Sequence, residues 1–119
     1  MTYVFDLDNT LCKTNGNDYL MCIPIPDRIK KVNQLFDNGN KIIIYTARGM
    51  GSTNNNQIEA INKYYSITET QLKNWGVKYT HLMLGKPAAD HYIDDKGIND
   101  YEFFKWNTSK RMGIRKMDC

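Results

Sequence analysis

The run Lys41-Ile42-Ile43-Ile44-Tyr45-Thr46 constrains the fold more than any other stretch of the chain. Three consecutive isoleucines predict a strand buried on both faces, and such strands belong to the middle of parallel sheets. Parallel neighbours need a crossover connection, usually a helix. One stands just upstream. Ile29, Val32, Leu35 and Phe36 recur at helical spacing, Asp27 behind Pro24 and Pro26 offers an N-cap, and Asn38-Gly39 closes the helix. Earlier still, Tyr3-Val4-Phe5 reads as a short buried strand that stops at Asp6. Strand, helix and strand make one βαβ unit with a right-handed crossover.

The alternation continues downstream. A helix is expected from about Asn55 to Tyr65, with Ile58, Ile61 and Tyr65 turned inward. Ser66-Ile67-Thr68-Glu69 fits a capping box that opens a second helix to Trp75, closed by Gly76. His81-Leu82-Met83-Leu84 is a third strand, ending at Gly85-Lys86-Pro87, and Tyr92-Ile93-Asp94-Asp95 a fourth, short one. Asp100–Lys105 is a last helical turn. The fold class is therefore α/β, a single Rossmann-like, doubly wound parallel sheet with flanking helices. Residues 1–104 form its core, with a small flap over 12–25 around Asn15-Gly16-Asn17, and 105–119 form a basic tail.

A chain of 119 residues supports one domain, and 41% apolar with 24% charged residues is ordinary for a globular protein. No window of apolar residues is long enough for a membrane span. The start MTYVFDLDNT puts acids where a signal peptide needs a basic, then apolar, run, so the expected location is cytoplasmic. Cys12, Cys22 and Cys119 are too few for a disulfide framework and lack the spacing of a zinc site. His81 and His91 are read as core or surface residues rather than ligands. The net charge of +3 comes from the tail, where Lys105, Lys110, Arg111, Arg115 and Lys116 precede the single acid Asp118. Such a tail is expected to be solvated, and nucleic acid is not expected as a partner.

Polar side chains close each predicted strand: Asp6 and Asp8, then Thr46, then Lys86, then Asp94 and Asp95. Ligands of open α/β sheets bind outside the carboxyl ends of the strands, so these residues converge on one site. Four carboxylates crowded there repel unless a cation neutralises them. Oxygen-only donors point to Mg²⁺ rather than zinc. A lysine and a hydroxyl facing them suit the oxygens of a phosphoryl group.

Asp6-Leu7-Asp8-Asn9-Thr10, Thr46, Lys86 and Asp94-Asp95 together resemble the four ordered motifs of the haloacid dehalogenase-like phosphatases, over roughly residues 3–100. The resemblance implies phosphomonoester hydrolysis through an aspartyl-phosphate. It implies Asp6 as nucleophile and Asp8 as general acid and then general base. Thr46 and Lys86 would bind the transferring phosphoryl group. It implies Mg²⁺ held by Asp6, the backbone carbonyl of Asp8, and Asp94, with Asp95 direct or through water. Thr10, Ala47 and Arg48 fall on the substrate side, Thr10 also bracing its loop.

Neither gap between motifs leaves room for a cap domain, so the chain resembles the capless members. Some of these are similar to phosphatases associated with bacterial surface-polysaccharide synthesis, including capsule, which suggests a small phosphorylated sugar, polyol or amino-alcohol. An uncovered site suggests a large phosphorylated substrate, or a small one enclosed by the flap or by a second copy of the chain. Two other readings compete: a phosphatase acting on nucleic-acid ends or phosphoprotein, and a non-enzymatic aspartyl-phosphate signalling module. Receiver modules place their acidic pair early and a lone Asp in mid-chain, the reverse of the order here. Cys22 and Arg28 match the C-x5-R spacing of cysteine phosphatases, but Pro24 and Pro26 remove two backbone donors that a phosphate loop needs.

Overall fold

The computed structural model describes residues 1–105. The basic tail expected over 105–119 lies, beyond Lys105, outside the described residues. Chain contacts divide the protein into two units, Met1–Ala89 and Asp90–Cys119.

The first unit carries a parallel three-stranded sheet of β1 (Thr2–Phe5), β4 (Lys41–Thr46) and β5 (His81–Leu84), with β4 in the middle. The isoleucine run thus takes the central position its composition predicts. Ile42, Ile44 and Thr46 are buried, whereas Ile43 and Tyr45 on the alternate face are only half-buried. Val4 and Met83, also on alternate positions, are exposed. The core lies on the other face, where Phe5, Ile42, Ile44, Leu82 and Leu84 are buried together with Ile29, Val32 and Leu35 of a helix.

That helix is α1 (Pro26–Asp37). Pro26 occupies its first turn, where a missing N–H costs nothing. Asp27 lies within the first turn and favours the positive end of the helix dipole; Ile25, not Asp27, is the N-cap. Between β1 and α1, β2 (Cys12–Lys13) and β3 (Ile23–Pro24) pair antiparallel around a 3-10 turn at Tyr19–Met21. These elements fall within residues 12–25, the stretch read as a small flap.

Between β4 and β5 runs one continuous helix, α2 (Gln57–Asn74), in place of the two expected. Asn56 caps it, its side chain accepting from the Glu59 N–H at 3.1 Å. The Ser66 capping-box signal is overridden because Ala60, Thr68 and Leu72 continue a four-residue stripe of buried positions straight through it. The inward face differs from the expected one for the same reason: Ile58 is 72% exposed and Ile61 40%.

In the second unit α3 (Asp100–Phe104) forms where a helical turn is expected, capped by Asn99. No strand forms over Tyr92–Asp95. The Asp94 carboxylate instead closes a turn, accepting from the Lys96 N–H at 2.7 Å and from the Gly97 N–H. No helix among the described residues is long and apolar enough to cross a membrane.

Candidate functional site

Because β1, β4 and β5 are parallel, their carboxyl ends share one edge. Asp6 follows β1 directly, Thr46 ends β4, and Lys86 follows β5 after Gly85. The Lys86 N–H donates to the Thr46 carbonyl at 3.2 Å, tying the last two strand ends together.

Asp6 sits between two partners. Thr10 Oγ1 donates to its Oδ2 at 3.2 Å, and Lys86 Nζ stands 3.4 Å from its Oδ1. The Asp6 side chain remains 35% exposed and that of Lys86 19%, so both are accessible. Thr10 is held by the turn that follows. Leu7 O accepts from the N–H groups of Thr10 and Leu11, and Asn9 takes the left-handed φ of 62° that asparagine tolerates. Arg28 of α1 donates to the Thr10 carbonyl at 2.9 Å.

Thr46 is buried at 1% exposure. Its hydroxyl oxygen accepts from the Arg48 N–H at 3.1 Å, which leaves the hydroxyl proton for another acceptor. Ala47, beside it, is half-buried.

Arg48, read from its position as a substrate-side residue, is engaged with other side chains of the protein. Among the described residues it is the largest fully buried side chain, and all five of its N–H donors have acceptors. Nε donates to Asp8 Oδ2 at 3.0 Å and Oδ1 at 3.3 Å, and Nη2 to Asp8 Oδ1 at 3.0 Å. Nη1 donates to Thr68 Oγ1 at 3.2 Å and to Gln71 Oε1, both on α2. Nη2 also meets Cys22 Sγ at 3.4 Å, and the Tyr19 ring lies 4.9 Å from the guanidinium carbon. Burial opposes the Arg48 charge, but the hydrogen bonds and charge of Asp8 outweigh it and raise its pKa above the ordinary arginine value. Arg48 thus braces Asp8, with each of its N–H donors engaged among the described residues.

Gly49, next in the chain, lets the Tyr64 ring approach the backbone closely. A Cβ there would lie 2.6 Å from the Tyr64 ring, and its φ of +79° favours glycine. Tyr64 in turn packs edge-on against Tyr19, and burial raises the Tyr19 pKa.

Asp8 has further partners that the sequence reading overlooks. Thr14 Oγ1 donates to its Oδ1 at 2.6 Å, and Cys12 Sγ approaches the same oxygen at 3.7 Å. Cys12 and Thr14 are both buried, on either side of the exposed Lys13. Burial pushes the Cys12 thiol up to about 12, with Asp8 adding to the rise and the Thr14 hydrogen bond opposing it. That thiol is a neutral packing group, not a nucleophile.

Asp6, Asp8, Thr10, Thr46, Ala47, Arg48 and Lys86 all belong to the first unit, and Asp94 and Asp95 to the second. Asp95 pairs with Lys96 at 3.2 Å on the surface. Among the described residues no three His, Cys, Asp or Glu side chains gather as a metal-binding group. Mg²⁺ asks for less, one or two carboxylates with waters and substrate oxygens, and the accessible Asp6 carboxylate has the right donor chemistry.

No protein-family model matches the chain, and no curated protein matches it. Among solved structures it is similar to a crystal structure from Vibrio cholerae, with 30% identity over 99% of this chain and 98% of that one and a TM-score of 0.82. It is also similar to a chain of the Pnkp1/Rnl/Hen1 complex, at 20% identity over 98% of this chain and 43% of that one, with a TM-score of 0.54. A third likeness is to the D,D-heptose 1.7-bisphosphate phosphatase from B. bronchiseptica complexed with magnesium and phosphate, at 12% identity over 99% and 64% of the two chains and a TM-score of 0.49. The second likeness is one of fold.

Proposed function

We propose that this chain, which belongs to one family with the Vibrio cholerae protein, is a Mg²⁺-dependent phosphomonoesterase of the haloacid dehalogenase-like type. The observation that carries the reading is the Asp6 carboxylate, accessible at the carboxyl edge of a parallel sheet and held between the Thr10 hydroxyl and the Lys86 ammonium. The four ordered motifs support it.

In this reading an Asp6 oxygen attacks phosphorus, and Asp8 first gives a proton to the leaving oxygen and then takes one from the hydrolytic water. Lys86 and the Thr46 hydroxyl hold phosphoryl oxygens, and charge developing on them is stabilised without reorganisation. Mg²⁺ would be held by Asp6 and the Asp8 backbone carbonyl, and would neutralise charge on the substrate phosphate. The substrate class is a small phosphorylated sugar, polyol or amino-alcohol, by analogy with the phosphatases associated with surface-polysaccharide synthesis that the chain resembles.

Phosphate release from a panel of sugar, polyol, amino-alcohol and aryl phosphates tests this. Turnover is expected with Mg²⁺, lost with a chelator and restored by adding the ion back. Asp6→Asn is expected to abolish it. Turnover that survives Asp6→Asn would overturn the mechanism, and none on any ester would overturn the activity.

A further inference from the structure

The two oxygens of the Asp8 carboxylate are in unequal surroundings. Oδ1 receives Thr14 Oγ1 at 2.6 Å, Arg48 Nη2 at 3.0 Å, Arg48 Nε at 3.3 Å and the Cys12 thiol at 3.7 Å. Among the described residues Oδ2 receives only Arg48 Nε, at 3.0 Å. A carboxylate offers about two lone-pair sites on each oxygen. Oδ1 is therefore saturated by donors, and a proton placed on it would face them. Oδ2 keeps an open site, and the Asp8 side chain is 19% exposed.

The brace that creates this inequality comes from three parts of the chain. Thr14 and Cys12 belong to the flap and Arg48 to the loop after β4. Arg48 is itself pinned by Thr68 and Gln71 of α2 and by Cys22 and Tyr19 of the flap. Gln71 Nε2 also donates to the Tyr19 carbonyl at 2.6 Å, so flap and helix grip the guanidinium jointly.

Building on the phosphatase reading above, we propose that Thr14 and Arg48 are positioning residues that lock Asp8 by Oδ1 and leave Oδ2 as the oxygen that carries the transferred proton. As an Asp6 oxygen bonds to phosphorus, the P–O bond to the leaving group breaks with its electron pair. The leaving oxygen then takes the proton from Oδ2. In the second half a water bonds to phosphorus and gives its proton to Oδ2, while the acyl-phosphate bond breaks and the Asp6 carboxylate returns. Loss of the lock lets the carboxyl group turn and spoils proton delivery, which matters most when the leaving group is a poor one.

The test compares leaving-group release in a single turnover from phenyl phosphate and from 4-nitrophenyl phosphate, whose leaving oxygen needs little help from an acid. Thr14→Val removes the 2.6 Å hydrogen bond while keeping the side-chain shape. The ratio of the phenyl to the nitrophenyl rate is expected to fall about tenfold, the effect of losing one hydrogen bond to a charged group. Thr14→Ser, which restores the hydroxyl, is expected to restore the ratio. Thr14→Ala reads the same ratio if the valine variant does not fold. An unchanged ratio in a folded variant would overturn the positioning role and leave the phosphatase reading standing. No release from either ester by the wild-type protein would remove both.

Discussion

Arg48 Nε lies 3.0 Å from Asp8 Oδ2 across 40 residues of sequence, with the arginine side chain fully buried. A guanidinium out of water is tolerated only when every donor finds an acceptor and a counter-charge is at hand. Here Asp8 supplies the charge and Thr68, Gln71 and Cys22 the remaining acceptors.

Arg48→Met should therefore be costly. It leaves the Asp8 carboxylate without its counter-ion and the α2 acceptors without donors. Urea denaturation should show a loss of about 3 kcal/mol, the lower end for breaking a buried pair because Asp8 is partly exposed. A loss below about 1 kcal/mol would place the pair in the class of weak surface bridges.

Lys86 should behave in the opposite way. Its ion pair with Asp6 is partly solvated, so Lys86→Met should alter stability by less than about 1 kcal/mol. Turnover should fall about a hundredfold, as for removal of one group that stabilises transition-state charge. Equal turnover in the variant and the wild type would remove Lys86 from the site.

Helix continuity can be read from two caps. Asn56→Ala removes the bond to the Glu59 N–H and should cost about 1 kcal/mol. Ser66 is exposed in mid-helix, so Ser66→Ala should change stability by no more than about 0.5 kcal/mol. A full cap-sized loss at Ser66 would mean that the helix breaks there.

Cys12 makes a prediction about pH. Folding raises its thiol pKa from 9.0 to about 12, so the folded state holds its proton more tightly than the unfolded one. The resulting stability is fully present below pH 9.0 and is lost as the pH rises towards about 12. Comparing alkaline denaturation of the wild type with Cys12→Ala isolates this contribution. At pH 8 iodoacetamide should modify Cys22 while Cys12 stays unmodified in peptide maps. Comparable modification at both would show that Cys12 is not shielded by burial.

The α/β alternation was legible because each strand and helix announces itself locally. The isoleucine run, the 29-32-35 spacing of α1 and the apolar His81–Leu84 segment are short-range patterns of period and branching. The strand-end residues Asp6, Thr46 and Lys86 were legible for the same reason, since the end of a strand is a property of its own neighbourhood. Tertiary packing decided the rest. Ser66 carries a cap signal, but the buried Ala60-Thr68-Leu72 stripe kept α2 whole. Arg48 stands two residues from a predicted phosphate-binding hydroxyl, and only the fold brings Asp8, Thr68, Gln71 and Cys22 around it. A buried charge chooses its place by partners distant in sequence, and those cannot be read from the spacing of the chain.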